Sequence, residues 1–198
     1  MASIYICMPI YIIEHLEPKL WPWCLIEYKH ISKIVGKDNL WFTNIKQDNN
    51  TVKKLSKHGK IIKQSVRDLS LSKTCVLDPE APKTLNPKDA KKFKYFIFGG
   101  ILGDYPPKKR TKKELTQFIK NPETRNIGKQ QMSTDNAIYT VKQIVSGKKL
   151  EGLKFKNKIE IPINNIENII LPYKYNLIKK KPLISQDLIA FLKKKKGF

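Results

Sequence analysis

Four short β-branched or aromatic runs, separated by helical patterns and turn-rich connections, constrain this chain more than any other feature. They are Ile10 to Ile13, Leu40 to Thr43, Thr74 to Leu77 and Tyr95 to Phe98. Helical patterns are predicted over residues 22–35, stopped by Gly36, over 51–57, stopped by His58-Gly59, and from Asn86-Pro87 to Lys92. Pro favours the first turn of a helix and Gly the position just past its last. The first helix is expected to bury a face carrying Trp23, Ile26, Ile31 and Ile34. Strands alternating with helices at this spacing argue for an α/β fold on a parallel sheet. The later half is less regular. It offers a helix candidate over 112–120, the best helix of the chain over 134–145 with Gly147 beyond it, and an amphipathic edge strand over 153–161. At 198 residues and 40% hydrophobic content, the chain can bury a sizeable core as one domain.

Charge narrows the partners. Lys and Arg number 39 against 17 Asp and Glu, a formal net charge of +22. A field of that sign draws in polyanions, so RNA or a ribosomal surface is the natural inference; a general bias toward Lys, Ile and Asn gives the same count. Cys7, Cys24 and Cys75 are far apart, without a metal-ligand spacing, and read as buried reduced thiols of a cytoplasmic protein. No apolar run reaches the ~18–20 residues that span a bilayer. The apolar opening, residues 1–13, lacks a basic start and a small-residue cleavage site, and reads as strand rather than signal peptide.

In an open parallel sheet, ligands bind beyond the carboxyl ends of strands. Those ends here carry Glu14-His15, Asp78-Pro79 and Gly99-Gly100. The sharpest segment is Phe98-Gly-Gly-Ile-Leu-Gly-Asp-Tyr-Pro-Pro107. Three glycines within five residues allow close backbone approach to a flat polar ligand such as adenine, or a tight crossover. The spacing matches neither a dinucleotide fingerprint nor a phosphate loop. A second segment, Arg125 to Ala137, runs from a strand-like piece through Gly128 into a helix that Ser133 or Thr134 can cap. Asp135 then falls in the first turn, favourable to the helix dipole whether or not it has a further role.

These segments, in this order, resemble the SPOUT-class protein-arginine methyltransferase family, whose fungal member modifies a small-subunit ribosomal protein, with archaeal and eukaryotic relatives. The resemblance is carried by Tyr11-Ile-Ile-Glu-His15, Leu25-Ile-Glu-Tyr28, Leu77-Asp-Pro79, Phe98-Gly-Gly-Ile-Leu-Gly-Asp104, Pro106-Pro107, Arg110-Thr111 and Gln131-Met132 with Thr134-Asp135. It covers roughly residues 10–175. It implies a parallel α/β core with a deep trefoil knot in its second half, a feature nearly absent from other folds. It implies S-adenosylmethionine as cofactor, bound by Leu77, Asp78, Pro79, Phe98, Gly99, Gly100, Ile101, Gly103, Asp104, Arg125, Asn126, Ile127, Gly128, Gln131, Met132 and Thr134. No metal is implied. The methyltransferase domain is expected to cover residues 1–175, its first ten an amino-terminal extension, with a basic tail over 176–198. Mono-methylation of an arginine on a ribosomal protein is the activity implied, with tRNA or rRNA methylation the alternative. The assembly implied is a monomer or a knot-mediated homodimer.

An arginine acceptor needs a carboxylate to fix the guanidinium plane and take the departing proton. Glu14, Glu27, Asp104 and Asp135 are candidates, with Glu14, Glu27 and Asp104 the catalytic set. Glu27 shares a helical face with Trp23 and Ile31, where a carboxylate is costly without a partner; a Lys or Arg at the helix edge would equally supply one. His15 can orient such a carboxylate or serve as a structural histidine. Arg110 and Arg125 offer the two-donor geometry that suits the cofactor's own carboxylate. Trp21, Trp23, Trp41 and Tyr28 can stack on a guanidinium or a base. The lysine runs at 179–181 and 193–196 can touch phosphates or form a solvated tail.

Overall fold

The computed structural model describes residues 8–46, 48–164 and 167–195. The expected apolar opening before Met8, Cys7, and the last lysine of the final run lie outside those residues. Six strands form one parallel sheet: β1 (Ile10–His15), β2 (Leu40–Thr43), β3 (Lys60–Ile61), β4 (Thr74–Leu77), β5 (Tyr95–Gly100) and β6 (Thr124–Arg125). Their order is β3-β2-β1-β5-β4-β6. Along β1, Tyr11 and Ile13 enter one core and Ile12 the other; Phe96, Phe98 and Ile97 divide the same way along β5. Burial on both faces is why these strands read as unbroken apolar runs.

Helices α1 (Pro22–Val35), α2 (Asn49–Leu55), α3 (Pro87–Ala90), α4 (Arg110–Glu114), α5 (Thr134–Val145) and α6 (Gln186–Lys195) complete the fold with short 3-10 turns. The bounds of α1 and α5 match the sequence expectation. The buried face of α1 does not. Cys24, Glu27, Tyr28, Ile31 and Val35 are buried, while Trp23 and Ile26 pack into a second core with α6 and Ile34 sits at the margin of the first. The reason is that α1 contacts both α5 and α6, so two of its faces are apolar and no single stripe marks the inside.

The expected helix over 112–120 breaks at Leu115, whose φ of −128° lies outside the helical region; its side chain is fully buried against the second face of the sheet. The expected strand over 153–161 divides between two small sheets. One holds β7 (Phe155–Lys156), β10 (Tyr175–Ile178) and β11 (Lys181–Pro182); the other pairs β8 (Ile159–Pro162) with β9 (Asn168–Leu171). The expected basic tail is likewise corrected: from residue 176 the chain forms most of β10, then β11 and α6. Leu188 and Leu192 of α6 bury against Ile159, Leu171 and Tyr175, and that burial outweighs the charge of the neighbouring lysines. Cys24 and Cys75 are free, buried thiols, each pushed up to about 12 by burial. Among the described residues, no helix is long and apolar enough to cross a membrane.

Candidate active site

A cavity of about 760 Å³ opens beyond the carboxyl ends of β4 and β5, where an open parallel sheet receives ligands. Its floor and walls are apolar, with Leu77, Phe98, Ile101, Leu102, Ile127 and Met132. Trp21 at the N-cap of α1, Trp23 of α1, Tyr173, and Phe191 and Leu192 of α6 close the other side. The two glycine-bearing segments, 98–104 and 126–134, therefore meet across one cleft.

Of the residues expected to hold a cofactor, Leu77, Asp78, Pro79, Phe98, Gly99, Ile101, Gly103, Asp104, Ile127, Gly128, Gln131, Met132 and Thr134 line this cavity. Gly100, Arg125 and Asn126 do not. Gly100 ends β5 facing the core, where a Cβ would lie 2.3 Å from Tyr28 Oη and 2.8 Å from Ile13. Arg125 is spent on Asp89 and on Glu123, 3.0 Å away. The Asn126 amide donates to the Ala81 carbonyl at 2.8 Å, and its oxygen accepts from Thr84 and Gly128. It thereby ties the 81–84 loop to the 126–128 loop from behind. At Gly103 the cleft leaves no room: a Cβ would meet Gln131 Nε2 at 2.5 Å and Tyr173 at 2.6 Å. Tyr173 Oη also donates to the Gly103 carbonyl at 3.0 Å.

The candidate acids separate by partner. Glu14 is fully buried and off the cavity; it accepts from Thr43 Oγ1 and Ser65 Oγ at 2.5 Å and from the Val66 N–H at 2.9 Å. Asp104 lines the cavity, 3.1 Å from Lys108 and 3.9 Å from Arg110. Arg110 donates to Glu17 at 2.8 Å and grips Glu114 with two nitrogens. Glu17 also accepts the Leu102 N–H, so Arg110 braces the glycine loop and is not free for a cofactor carboxylate. Lys109 pairs with Glu80 at 3.0 Å.

Glu27 is different. It lines the cavity, is 6% exposed, and has no ion pair among the described residues. Its Oε1 accepts the Asp135 N–H, long at 3.4 Å, at the amino end of α5. Ser133, at the N-cap, makes no capping bond from its side chain; it donates to Asp135 instead. Burial, then the charge of Asp135, push the Glu27 carboxyl up to about 8.

His15 does not orient either acid: its Nδ1 lies 2.9 Å from Tyr28 Oη. Burial lowers its pKa. Trp21 and Trp23 line the cavity. Tyr28 stacks on Phe42, and Trp41 packs on Tyr95 beneath Lys60, both away from the site. Asp135 sits behind Glu27, bonded to His30. The sequence reasoning missed Tyr173, Glu17, Glu80 and the α6 pair. Only the apolar spacing of Leu188, Phe191 and Leu192 could have signalled α6; nothing local marks the others.

The arrangement — a glycine-lined apolar slot beside a buried acid without a cation — has relatives. A family model described as protein arginine N-methyltransferase SFM1-like matches residues 10–197. The chain belongs to the SFM1-like family. SFM1 of Saccharomyces cerevisiae, a protein arginine N-methyltransferase, is 36% identical over 200 residues, which span 93% of this chain and 94% of the yeast protein. Among solved structures, yeast SFM1 complexed with SAM superposes with a TM-score of 0.86 at 34% identity, covering 94% of this chain and 91% of that one. Its complex with SAH gives 0.85 at 32% identity, covering 95% and 96%. Trm10 of Thermococcus kodakaraensis, at 18% identity and a TM-score of 0.57, covers 73% of this chain and 96% of its own, and shares the fold alone. An SFM1-like chain is thus a SAM-dependent methyltransferase built on the parallel sheet described above.

Proposed function

We propose that this enzyme transfers a methyl group from S-adenosylmethionine to the guanidinium of an arginine in a small-subunit ribosomal protein, leaving ω-monomethylarginine. The observation that carries this reading is Glu27, an acid on the cavity wall with no lysine or arginine paired to it among the described residues. Of the cations at the same mouth, Lys108, Lys109 and Arg110 are each paired with an acid, and Lys129 alone shows no ion pair among the described residues. An RNA-base site would instead want cations free for phosphate.

The cavity suits the cofactor. Its volume falls in the range of small-molecule sites. Apolar side chains from both loops offer faces for an adenine ring, and the close approach at Gly103 makes one wall from backbone. When bound, the cofactor supplies an electrophilic methyl on a sulfonium. Gly99, Ile101, Gly103, Ile127 and Met132 would hold the adenosyl part; Asp104 and Gln131 offer polar contacts. Glu27 would grip the incoming guanidinium, fix its plane, and take the proton that the attacking nitrogen loses. A carboxyl poised near neutrality suits both tasks. Trp21 and Trp23 would stack on the cationic side chain at the entrance.

The resemblance also supports a trefoil knot. We read residues 126–134 as the knotted segment, because they leave β6 at the sheet's outer edge and return beside the glycine loop. The test is transfer of labelled methyl from S-adenosylmethionine to ribosomal extract. Label released by protease, and recovered as monomethylarginine, is the expected result. Label released by nuclease would overturn it.

A further inference from the structure

Behind Glu27 lies a second acid and, beyond it, an imidazole that the proposed reaction leaves unused. Asp135 has a side chain only 5% exposed. Its Oδ1 accepts from Ser133 Oγ at 2.6 Å, the Asn136 N–H at 2.7 Å and Asn136 Nδ2 at 3.1 Å. Its Oδ2 lies 2.8 Å from His30 Nδ1. The Ser133 hydroxyl and the two Asn136 N–H groups donate to it, and the Glu27 carboxyl hydrogen-bonds it as well; toward an acceptor placed this way, the His30 nitrogen facing it is the one that carries the proton.

Glu27 and His30 stand one turn apart on α1 and share a side of the helix. Between them they bracket the first turn of α5: Glu27 takes the backbone N–H of Asp135, and His30 takes its side chain. The geometry sets a conflict. Glu27 must be ionised to hold a guanidinium, yet it is buried beside a second negative charge, which opposes ionisation. The amino end of α5 relieves part of this. The hydrogen bond between His30 and Asp135 acts in the same direction, by drawing the charge of Asp135 away from Glu27.

We infer that His30 is a positioning residue for methyl transfer: its ring N–H, held on Asp135, favours the ionised form of Glu27 that grips the acceptor guanidinium. This rests on the reading of Glu27 as the anchor. The groups bearing on Glu27 are Asp135 from α5, Cys24 and Tyr28 from α1, and Tyr173 and Tyr175 from the segment entering β10. Those bearing on His30 are Asp135, Asp187 of α6, and the neighbouring Lys29 and Lys33 of α1. Lys29 pairs with Asp187 at 2.8 Å, which leaves Asp135 as the acid His30 serves.

The test is the pH dependence of the initial methylation rate, with a limiting small-subunit ribosomal-protein fraction as acceptor, for wild type, His30→Ala, His30→Asn and Glu27→Gln. Cofactor affinity is followed by calorimetry. In wild type the rate falls as pH drops through the ionisation of Glu27. In His30→Ala that limb moves up by about one pH unit, so the rate at pH 7 falls about tenfold and rejoins wild type at high pH. His30→Asn, which returns an N–H to Asp135, restores the wild-type limb. Cofactor affinity stays unchanged in all. Should His30→Ala unfold, His30→Phe removes the donor while filling the space and gives the same shift. A limb in the donor-less variants that coincides with wild type, or a loss that persists at high pH, overturns the role of His30. Glu27→Gln at the wild-type rate overturns the Glu27 reading itself; Glu27→Gln inactive with an unmoved His30→Ala limb overturns only the role of His30.

Discussion

Glu14 and Glu27 are both acids sunk in the interior near the carboxyl end of the sheet, yet their surroundings treat that charge in opposite ways. Glu14, on β1, is closed off by two close hydroxyls and a backbone N–H at ordinary length. Glu27, on α1, faces the cavity with backbone N–H groups of the first turn of α5 as its donors, the Asp135 one long at 3.4 Å, and a second acid behind it. A buried charge with enough donors is a structural tie; one left short of them is held at a cost that only a ligand can recover. The glycine segment repeats the contrast within four residues. Gly100 faces Tyr28 and Ile13 in the core, and Gly103 faces Gln131 and Tyr173 in the cleft.

The sharpest way to break this comparison is Glu27→Gln. Turnover on an arginine acceptor is expected to fall at least about 100-fold, with cofactor affinity by calorimetry within about twofold of wild type. The same variant is expected to gain stability. Because the folded state holds the Glu27 proton up to about pH 8 while the unfolded chain loses it near 4.5, wild-type stability declines as pH rises between the two values. Chemical denaturation above pH 8 should then find Glu27→Gln more stable by about 2 kcal/mol. A variant that is less stable at that pH would make Glu27 a structural tie like Glu14.

Glu14→Gln should behave in the reverse sense. Loss of a charge-assisted cluster is expected to cost about 2–3 kcal/mol in denaturation, while the folded fraction turns over normally. Gly100→Ala should cost about 1–3 kcal/mol through overpacking against Tyr28, with cofactor affinity unchanged in the folded protein. Gly103→Ala should weaken cofactor binding by about tenfold, since its Cβ displaces Gln131 or the buried Tyr173 ring, and should lower stability as well. If Gly100→Ala weakens binding more than Gly103→Ala, the division between core-facing and cleft-facing glycines fails.

Much of the fold was legible in the sequence. The central strands, α1 and α5 were placed because apolar runs and their punctuation by Gly, Pro and polar caps are local signals. The cavity's two main loops were legible for the same reason, and from the family resemblance of the Phe98–Asp104 segment. The buried face of α1 was not, because α5 and α6 both pack on it and no single stripe distinguishes its interior. The ordered end of the chain was also hidden, its few apolar anchors Leu188 and Leu192 lying among lysines.

By itself the amino-acid sequence determined a parallel α/β sheet, a glycine-rich loop at its carboxyl edge and a short set of acids that could serve there. Only the tertiary structure decided which of these acids lines the cavity with no cation beside it among the described residues. That choice depends on contacts between residues remote along the chain: Glu14 with Val66, 52 positions away, and Glu27 with Asp135, 108 positions away. The energetic fate of a buried charge is set by what surrounds it in space, and no local pattern of residues carries that information.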